Sequence, residues 1–160
     1  MSRLPQNSNT VIRPVQYRDL DAIEQLTDSA IETEMPLCSV VREKQPSIRH
    51  WFGILKLMSL LPNPSSVTVN VAEINQRIHG MIQVSPFNRS RSTWRVDRVA
   101  VNPVIVEAED SEKGETAVLT KIDVGSLLVR HCLEKIWQAR TWILEIDVSD
   151  KTALDLYRHN

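Results

Sequence analysis

Four consecutive segments near the end of the chain decide the fold: WRVDRVAVNP (residues 94–103), DVGSLLVRHC (123–132), TWILEIDVS (141–149) and KTALDLYRHN (151–160). The first and third are rich in β-branched residues and predict strands, whereas the second and fourth have the apolar spacing of helices. A strand–helix–strand unit of this length crosses over right-handedly and leaves its two strands parallel. We therefore expect residues 94–101 and 141–148 to lie side by side and point the same way.

An antiparallel meander is predicted before these segments. Residues 66–73, 77–85 and 93–101 read as three strands, and Asn75 and Gln76 form the turn between the first two. A shorter strand over 10–13 precedes them and is ended by Pro14. The fold class is therefore α/β, with a mixed sheet that is antiparallel at first and parallel at its end.

Two helices are predicted between the first strand and the meander. The first spans about 19–34, with Asp19 or Asp21 as its cap and Glu24 completing a capping box with Asp21. The second spans about 46–61 and is apolar over most of its circumference. Such a helix is either buried on two sides or in contact with another subunit, and the sequence leaves both open.

Composition narrows the class of protein. The chain has 160 residues, which fits a single domain over residues 10–160 that follows a disordered segment over residues 1–9. Its net charge of −1 predicts no general attraction to nucleic acid or to anionic membranes. Its longest apolar-rich run, 51–61, is too short to cross a bilayer. Cys38 and Cys132 are far apart and the four histidines are scattered, which predicts reduced thiols, a cytoplasmic location and no metal site.

One connection stands out by its charge. Residues 104–121 carry five acidic side chains against two lysines, and we expect them to form a mobile acidic loop.

The motifs around the last two predicted helices resemble the acetyl-CoA-binding half of GNAT superfamily N-acetyltransferases. The segment Thr120-Lys121-Ile122-Asp123-Val124-Gly125-Ser126 stands at the family's pyrophosphate loop, although Asp123 replaces its middle glycine. Ala153-Leu154-Asp155-Leu156-Tyr157 resembles the family's A-x-x-LY signature. Asp123 is either an N-cap that binds the amide of Gly125 or Ser126, or a part of the ligand site.

The resemblance implies a role for particular residues. The backbone at Val99, Ala100 and Val101 would pair with the pantetheine arm, in a cleft opened by two diverging parallel strands. The pyrophosphate site would comprise Lys121, Asp123, Val124, Gly125 and Ser126, with Asp150 standing where many relatives have asparagine. Tyr157 would protonate the departing thiolate, because a phenol stays protonated at neutral pH. The general base stays open among Asp97, Glu145, Glu73 and a water relay.

The implied function is transfer of an acetyl group from acetyl-CoA, as co-substrate and without a metal, to a small-molecule or peptide amine that attacks directly in a ternary complex. The alternative is a non-catalytic acyl-CoA-binding or dimerisation module on the same fold. The family usually continues with two more strands after the position of Asn160. Either the sequence is a piece of a longer protein, or the domain completes its sheet with a partner chain. The second case predicts an exposed sheet edge and a homodimer through that edge or through the helix 46–61.

Overall fold

The structure, a computed structural model, describes residues 10–32, 49–50, 53, 67–87, 89–107, 116–146 and 149–160. Its strands are β1 (Thr10–Pro14), β2 (Thr68–Ile74), β3 (Arg77–Pro86), β4 (Thr93–Val101), β5 (Val104–Glu107), β6 (Thr116–Leu119) and β7 (Thr141–Ile143). Its helices are α1 (Leu20–Glu32), α2 (Lys121–Lys135) and α3 (Lys151–Arg158). The predictions for residues 1–9 and Cys38, and most of those for the helix 46–61, lie outside the described residues.

The main sheet has five strands in the order β1-β2-β3-β4-β7. Each of β1, β2 and β3 pairs antiparallel with the strand that follows it in sequence, and β7 pairs parallel with β4. Asn75 and Gln76 join β2 to β3 with φ values of 50° and 64°, which suit the twist of a two-residue hairpin. The predicted α/β class and its mixed sheet are confirmed.

The start of α1 differs from its prediction. Asp19 closes a short 3₁₀ turn, Tyr17–Asp19, and its carboxylate accepts a hydrogen bond from the backbone N–H of Gln16 at 2.7 Å. Asp21 and Glu24 both bind the guanidinium of Arg49. The predicted capping box between Asp21 and Glu24 is therefore wrong, because a residue distant in sequence recruits both carboxylates.

The prediction of a mobile loop over residues 104–121 is also wrong at both ends of that segment, where β5 and β6 form an antiparallel hairpin. Val104 pairs with Leu119, and both side chains are buried in the core. The β-branched run Val104-Ile105-Val106 favours a strand, and burial of its first residue anchors the hairpin despite the acidic residues that follow.

Two apolar clusters cover opposite faces of the sheet. The face that carries α2 and α3 packs the larger cluster, to which Ile82, Val99, Leu128 and Leu156 belong. The α1 face packs the smaller one, with Leu20, Ile23 and Met81. The described residues include no helix that is both long and apolar enough to cross a membrane.

Candidate functional site

The parallel strands β4 and β7 separate after a short paired stretch. Only Thr93–Arg95 pair with Thr141–Ile143, so the predicted strand over 141–149 is shorter than expected. Beyond that point the backbone of Val96 and of Val99–Val101 has no partner in β7. Buried backbone groups need hydrogen-bond partners, so this edge of β4 is suited to receive an extended ligand. The predicted parallel neighbours are confirmed, and they diverge.

A β-bulge lies beside the point of separation. Val96 pairs with Val84 and Arg98 with Gln83, which leaves Asp97 as an extra residue in β4. Val96 consequently packs in the same cluster as Val99, although the two differ by an odd number of positions. The bulge therefore turns Asp97 to the α1 face, whereas regular alternation along a strand would place it on the same face as Val99 and Val101.

Thr120, not Asp123, is the N-cap of α2. The Thr120 hydroxyl oxygen accepts from the backbone N–H of Asp123 at 3.2 Å. The Asp123 carboxylate in turn accepts from the backbone N–H and the hydroxyl of Thr120, both at 2.8 Å. The prediction that Asp123 binds the amide of Gly125 or Ser126 is wrong. The T-x-x-D spacing of a capping box was the sequence signal for the correct cap.

The N-termini of α2 and α3 lie at the same end of their layer. Lys121 opens α2, and Asp150 caps α3 by accepting from the N–H of Ala153 at 2.9 Å. Burial lowers the pKa of Lys121, and the nearby Asp150 carboxylate opposes that shift. The positive ends of two helix dipoles therefore meet beside the end of β4, where they favour an anion.

Gly125 allows α2 and α3 to pack closely. A Cβ at this position would lie 2.9 Å from a methyl carbon of Leu156, which is fully buried. Val124 is also buried in the core, whereas Ser126 is half-buried and its hydroxyl oxygen accepts from the side-chain amide of Asn160 at 2.9 Å. The glycine has a packing role that is independent of any ligand.

Tyr157 turns its hydroxyl into the protein. Its Oη is buried and has no hydrogen-bond partner among the described residues. Burial, and then the negative charge of Asp150, raise the pKa of Tyr157 above its usual value. The phenol is therefore protonated at neutral pH, and it is a donor without an acceptor.

Beside Tyr157 lies a cavity of about 200 Å³. It opens where β4 and β7 separate, and its walls include Ile82, Val96, Val129, Cys132, Trp142 and Leu144. Burial raises the pKa of the Cys132 thiol to about 11, so this cysteine is an unreactive part of the wall. Sequence patterns did not identify this cavity, because its walls come from five separate elements.

A larger cavity of about 820 Å³ lies on the α1 face. Arg13 crosses its wall and binds two carboxylates, Asp19 at 2.7 Å and Glu73 at 2.6 Å. Burial acts to raise the pKa of Asp19, but the hydrogen bonds from Arg13 and from the Gln16 amide outweigh it, and the pKa is lowered. The same two carboxylates raise the pKa of Arg13, so Arg13 and Asp19 form an ion pair at neutral pH.

The three candidate bases lie in different places. Glu73 lines the α1-face cavity and is bound to Arg13. Asp97 is buried in the bulge and accepts from Nε of Arg95 at 2.7 Å, while Glu145 is exposed beyond the end of β7. Asp97 and Glu145 each lie two residues past the last paired residues of β4 and β7, but of these two only Asp97 is buried. Within the described ranges, no three His, Cys, Asp or Glu side chains form a cluster suited to a metal ion.

Comparison with known proteins identifies the fold. No protein-family model and no curated protein matches the chain, whereas solved structures do. An N-acetyltransferase from Staphylococcus aureus is 20% identical, with a TM-score of 0.63 over 95% of this chain and 82% of that one. The ribosomal-protein-alanine N-acetyltransferase of Brucella melitensis is 16% identical, with a TM-score of 0.62 over 93% and 82%.

A third similar structure was solved with ligands. Spermidine N-acetyltransferase from Vibrio cholerae, in complex with CoA and spermine, is 14% identical, with a TM-score of 0.59 over 94% of this chain and 78% of that one. The chain therefore has the fold of GNAT-family acetyltransferases, as the motifs around Gly125 and Tyr157 predicted.

Proposed function

We propose that this protein is an N-acetyltransferase that moves an acetyl group from acetyl-CoA to a primary amine by direct attack in a ternary complex. One observation carries the proposal: β4 and β7 separate after Arg95 and Ile143 beside a cavity that Tyr157 lines, and the Tyr157 hydroxyl has no partner among the described residues. A thioester tail in this cleft would supply hydrogen-bond partners to the free edge of β4. It would also supply the acceptor that Tyr157 lacks among the described residues.

The pyrophosphate would bind where α2 and α3 begin. Two helix dipoles favour an anion there, and Lys121 adds a positive charge. Val124, Gly125 and Ser126, in the first turns of α2, would line the site together with Asp150, although the N–H of Val124 already donates to the Thr120 carbonyl at 3.1 Å. The carboxylate of Asp123 is engaged by two hydrogen bonds from Thr120, which reduces its repulsion of a phosphate, and the backbone N–H of Asp123 donates to the Thr120 hydroxyl.

The chemistry needs no covalent enzyme intermediate. The amine nitrogen attacks the thioester carbonyl carbon, and a backbone N–H in the Val99–Val101 stretch stabilises the oxyanion that forms. The carbon–sulfur bond then breaks, and the sulfur takes the proton of Tyr157. The attacking nitrogen loses its proton to a base or to water. The phenolate of Tyr157 then regains a proton from solvent, so the net proton balance is zero.

Burial shifts the pKa of the proton donor Tyr157 and the pKa of a thiol acceptor in the same direction. Desolvation makes the phenol a weaker acid, which by itself would slow proton transfer to a thiolate. However, the same surroundings raise the pKa of the Cys132 thiol to about 11. A CoA thiolate in this cleft would become more basic for the same reason, which offsets part of the lost acidity of the phenol.

The amine would approach from the α1 face. Its cavity of about 820 Å³ is large enough for a small molecule or a peptide N-terminus. We propose Asp97 as the first candidate base because the bulge turns it to this face, with Glu73 and Glu145 as weaker candidates. Among the similar structures, the Vibrio cholerae enzyme was solved with spermine and a metagenomic aminoglycoside acetyltransferase with sisomicin.

Thiol release from acetyl-CoA with a panel of primary amines tests the proposal. We expect release in the wild type and a fall in kcat of about 100-fold or more in Tyr157→Phe, since general acids contribute this much. Tyr17→Phe is the matched control: Tyr17 is 69% exposed on the α1 side, and the variant should keep wild-type rates. Acetyl-CoA binding without transfer to any amine would favour the non-catalytic alternative, and no binding at millimolar acetyl-CoA would refute both.

We further propose a cytoplasmic homodimer. The outer edge of β7 has no neighbouring strand among the described residues, and Leu133, Trp137 and Leu144 beside it are 39%, 79% and 37% exposed. A second copy would cover this edge. Sedimentation equilibrium should show a dimer that Trp137→Glu weakens, and a monomer at all concentrations would contradict it. Cell fractionation tests the location, and recovery in a membrane or secreted fraction would refute it.

A further inference from the structure

The cavity beside Tyr157 lies at the closed end of the cleft. Val96 of β4 and Leu144, directly after β7, are the first residues past the last paired residues, and both line it. A ligand whose phosphates sit where α2 begins enters the cleft from its open end. The tip of that ligand therefore points toward the cavity.

The walls of the cavity suit an aliphatic group. No charged side chain lines it, and burial keeps the Cys132 thiol protonated. The amide of Asn160, at the rim, is already committed: it donates to the Ser126 hydroxyl and the Leu156 carbonyl, and it accepts from Arg130. Among the residues that line the cavity, Tyr157 has the buried side-chain polar atom without a partner in the described residues, and it is the proposed proton donor to the thioester sulfur.

The cavity is larger than an acetyl group requires. An engineered apolar cavity of about 150 Å³ in another protein accepts benzene, which has six carbons. The present cavity has about 200 Å³, so a chain of about six carbons fits within it. An acetyl group would leave most of this volume empty, and empty apolar volume forfeits packing contacts.

We propose that the preferred donor is an acyl-CoA with a medium-length aliphatic chain, whose tail fills the cavity bounded by Val96, Val129 and Leu144. This inference rests on the proposed function, because it needs the acyl-CoA arm to lie between β4 and β7. It replaces acetyl-CoA by a longer thioester and leaves the mechanism unchanged.

Calorimetric titration with CoA, acetyl-CoA, butyryl-CoA, hexanoyl-CoA and decanoyl-CoA tests the proposal. We expect affinity to rise by roughly fourfold for each buried methylene from acetyl to hexanoyl, and to stop rising at decanoyl. Equal affinities across the series, or a fall from acetyl to butyryl, would overturn the inference and leave the proposed acetyl transfer standing. If none of the five ligands binds, the proposed function fails as well.

Variants of α2 locate the tail. Val129→Phe and Leu133→Phe fill the cavity from two positions, and either should abolish the preference for hexanoyl-CoA while acetyl-CoA binding persists. Glu134→Phe adds the same ring to an exposed position of the helix that does not line the cavity, and it should keep the preference. Thermal unfolding identifies which filled variant folds. A folded filled variant with an unchanged chain-length preference would overturn the assignment of this cavity.

Discussion

The two faces of the sheet differ in how they use charge. On the α1 face, Arg13, Asp19 and Glu73 form a network of salt bridges at the wall of a cavity of about 820 Å³. On the opposite face, the cavity of about 200 Å³ has no charged side chain. The first offers hydrogen-bond partners to a polar acceptor, whereas the second offers apolar contacts to a thioester tail. The sheet therefore separates two chemical environments, and Asp97 lies in the bulge between them.

Removal of Arg13 from the α1 face should cause the largest loss of stability among the predicted variants. Arg13→Met leaves the 5%-exposed Asp19 carboxylate without its partner, and we expect a loss of about 3 kcal/mol in the free energy of unfolding. Urea denaturation measures it. Arg18→Met, which removes an exposed arginine of the same cavity, should change stability by less than about 0.5 kcal/mol. Equal effects of the two variants would contradict the network's role.

The apolar face should respond to added volume. A Cβ on Gly80 would lie 3.0 Å from side-chain carbons of Leu128, Val101 and Val124. Gly80→Ala should therefore cost about 1–3 kcal/mol of stability by overpacking, as denaturation can show. The control is Gly53→Ala, where a Cβ meets no atom within 4 Å and a helical alanine should stabilise by up to about 1 kcal/mol. A stabilised Gly80→Ala would show that this face is loosely packed.

The sequence identified the elements of the site but not their exact register. Parallel neighbours over 94–101 and 141–148 followed from the pattern of strand, helix and strand, and the motif ending in Tyr157 indicated the family of folds. The bulge at Asp97 could not be read in this way, because it depends on how β3 pairs with β4. Local patterns also gave no reason for Arg49 to recruit Asp21 and Glu24 from α1.

Other differences had a readable signal. Thr120 and Asp123 have the spacing of a capping box, and the run from Val104 to Val106 favours a strand. In both cases another feature favours a different structure. The family's loop motif favours a cap at Asp123, and the acidic composition favours a mobile loop. The cavity beside Tyr157 had no sequence signal, since Ile82, Cys132 and Trp142 meet only in the folded chain.

Acidification should reduce the contribution of Asp19, on the α1 face, to the free energy of unfolding. Because the pKa of Asp19 is lowered below 3.8 in the folded protein, its contribution is fully present above that pH and is lost as pH falls through the folded value. Asp19→Asn should cost about 1–2 kcal/mol near neutral pH, and the difference from wild type should shrink in acid. Denaturation curves across the acid range check this, and a pH-independent difference would contradict it.

The smallest effect concerns ionisation on the apolar face. Tyr17 and Tyr157 are the two tyrosines of the chain, so Tyr17→Phe leaves Tyr157 as the single phenol. Its pKa is raised from the usual 10.0 by burial, and phenolate absorbance should therefore be almost absent at that pH without any loss of neutral-pH stability. Half-ionisation at or below pH 10 in the folded variant would show that Tyr157 is open to solvent.

The most direct test of the cleft is a titration of the isotope-labelled protein with acetyl-CoA, followed by the NMR shifts of its backbone amides. If the free edge of β4 holds the thioester arm, the largest shifts should occur at Val99–Val101 and at the start of α2, while β1 stays unchanged. Shifts confined to β1 and the start of α1, or none at millimolar acetyl-CoA, would contradict the account.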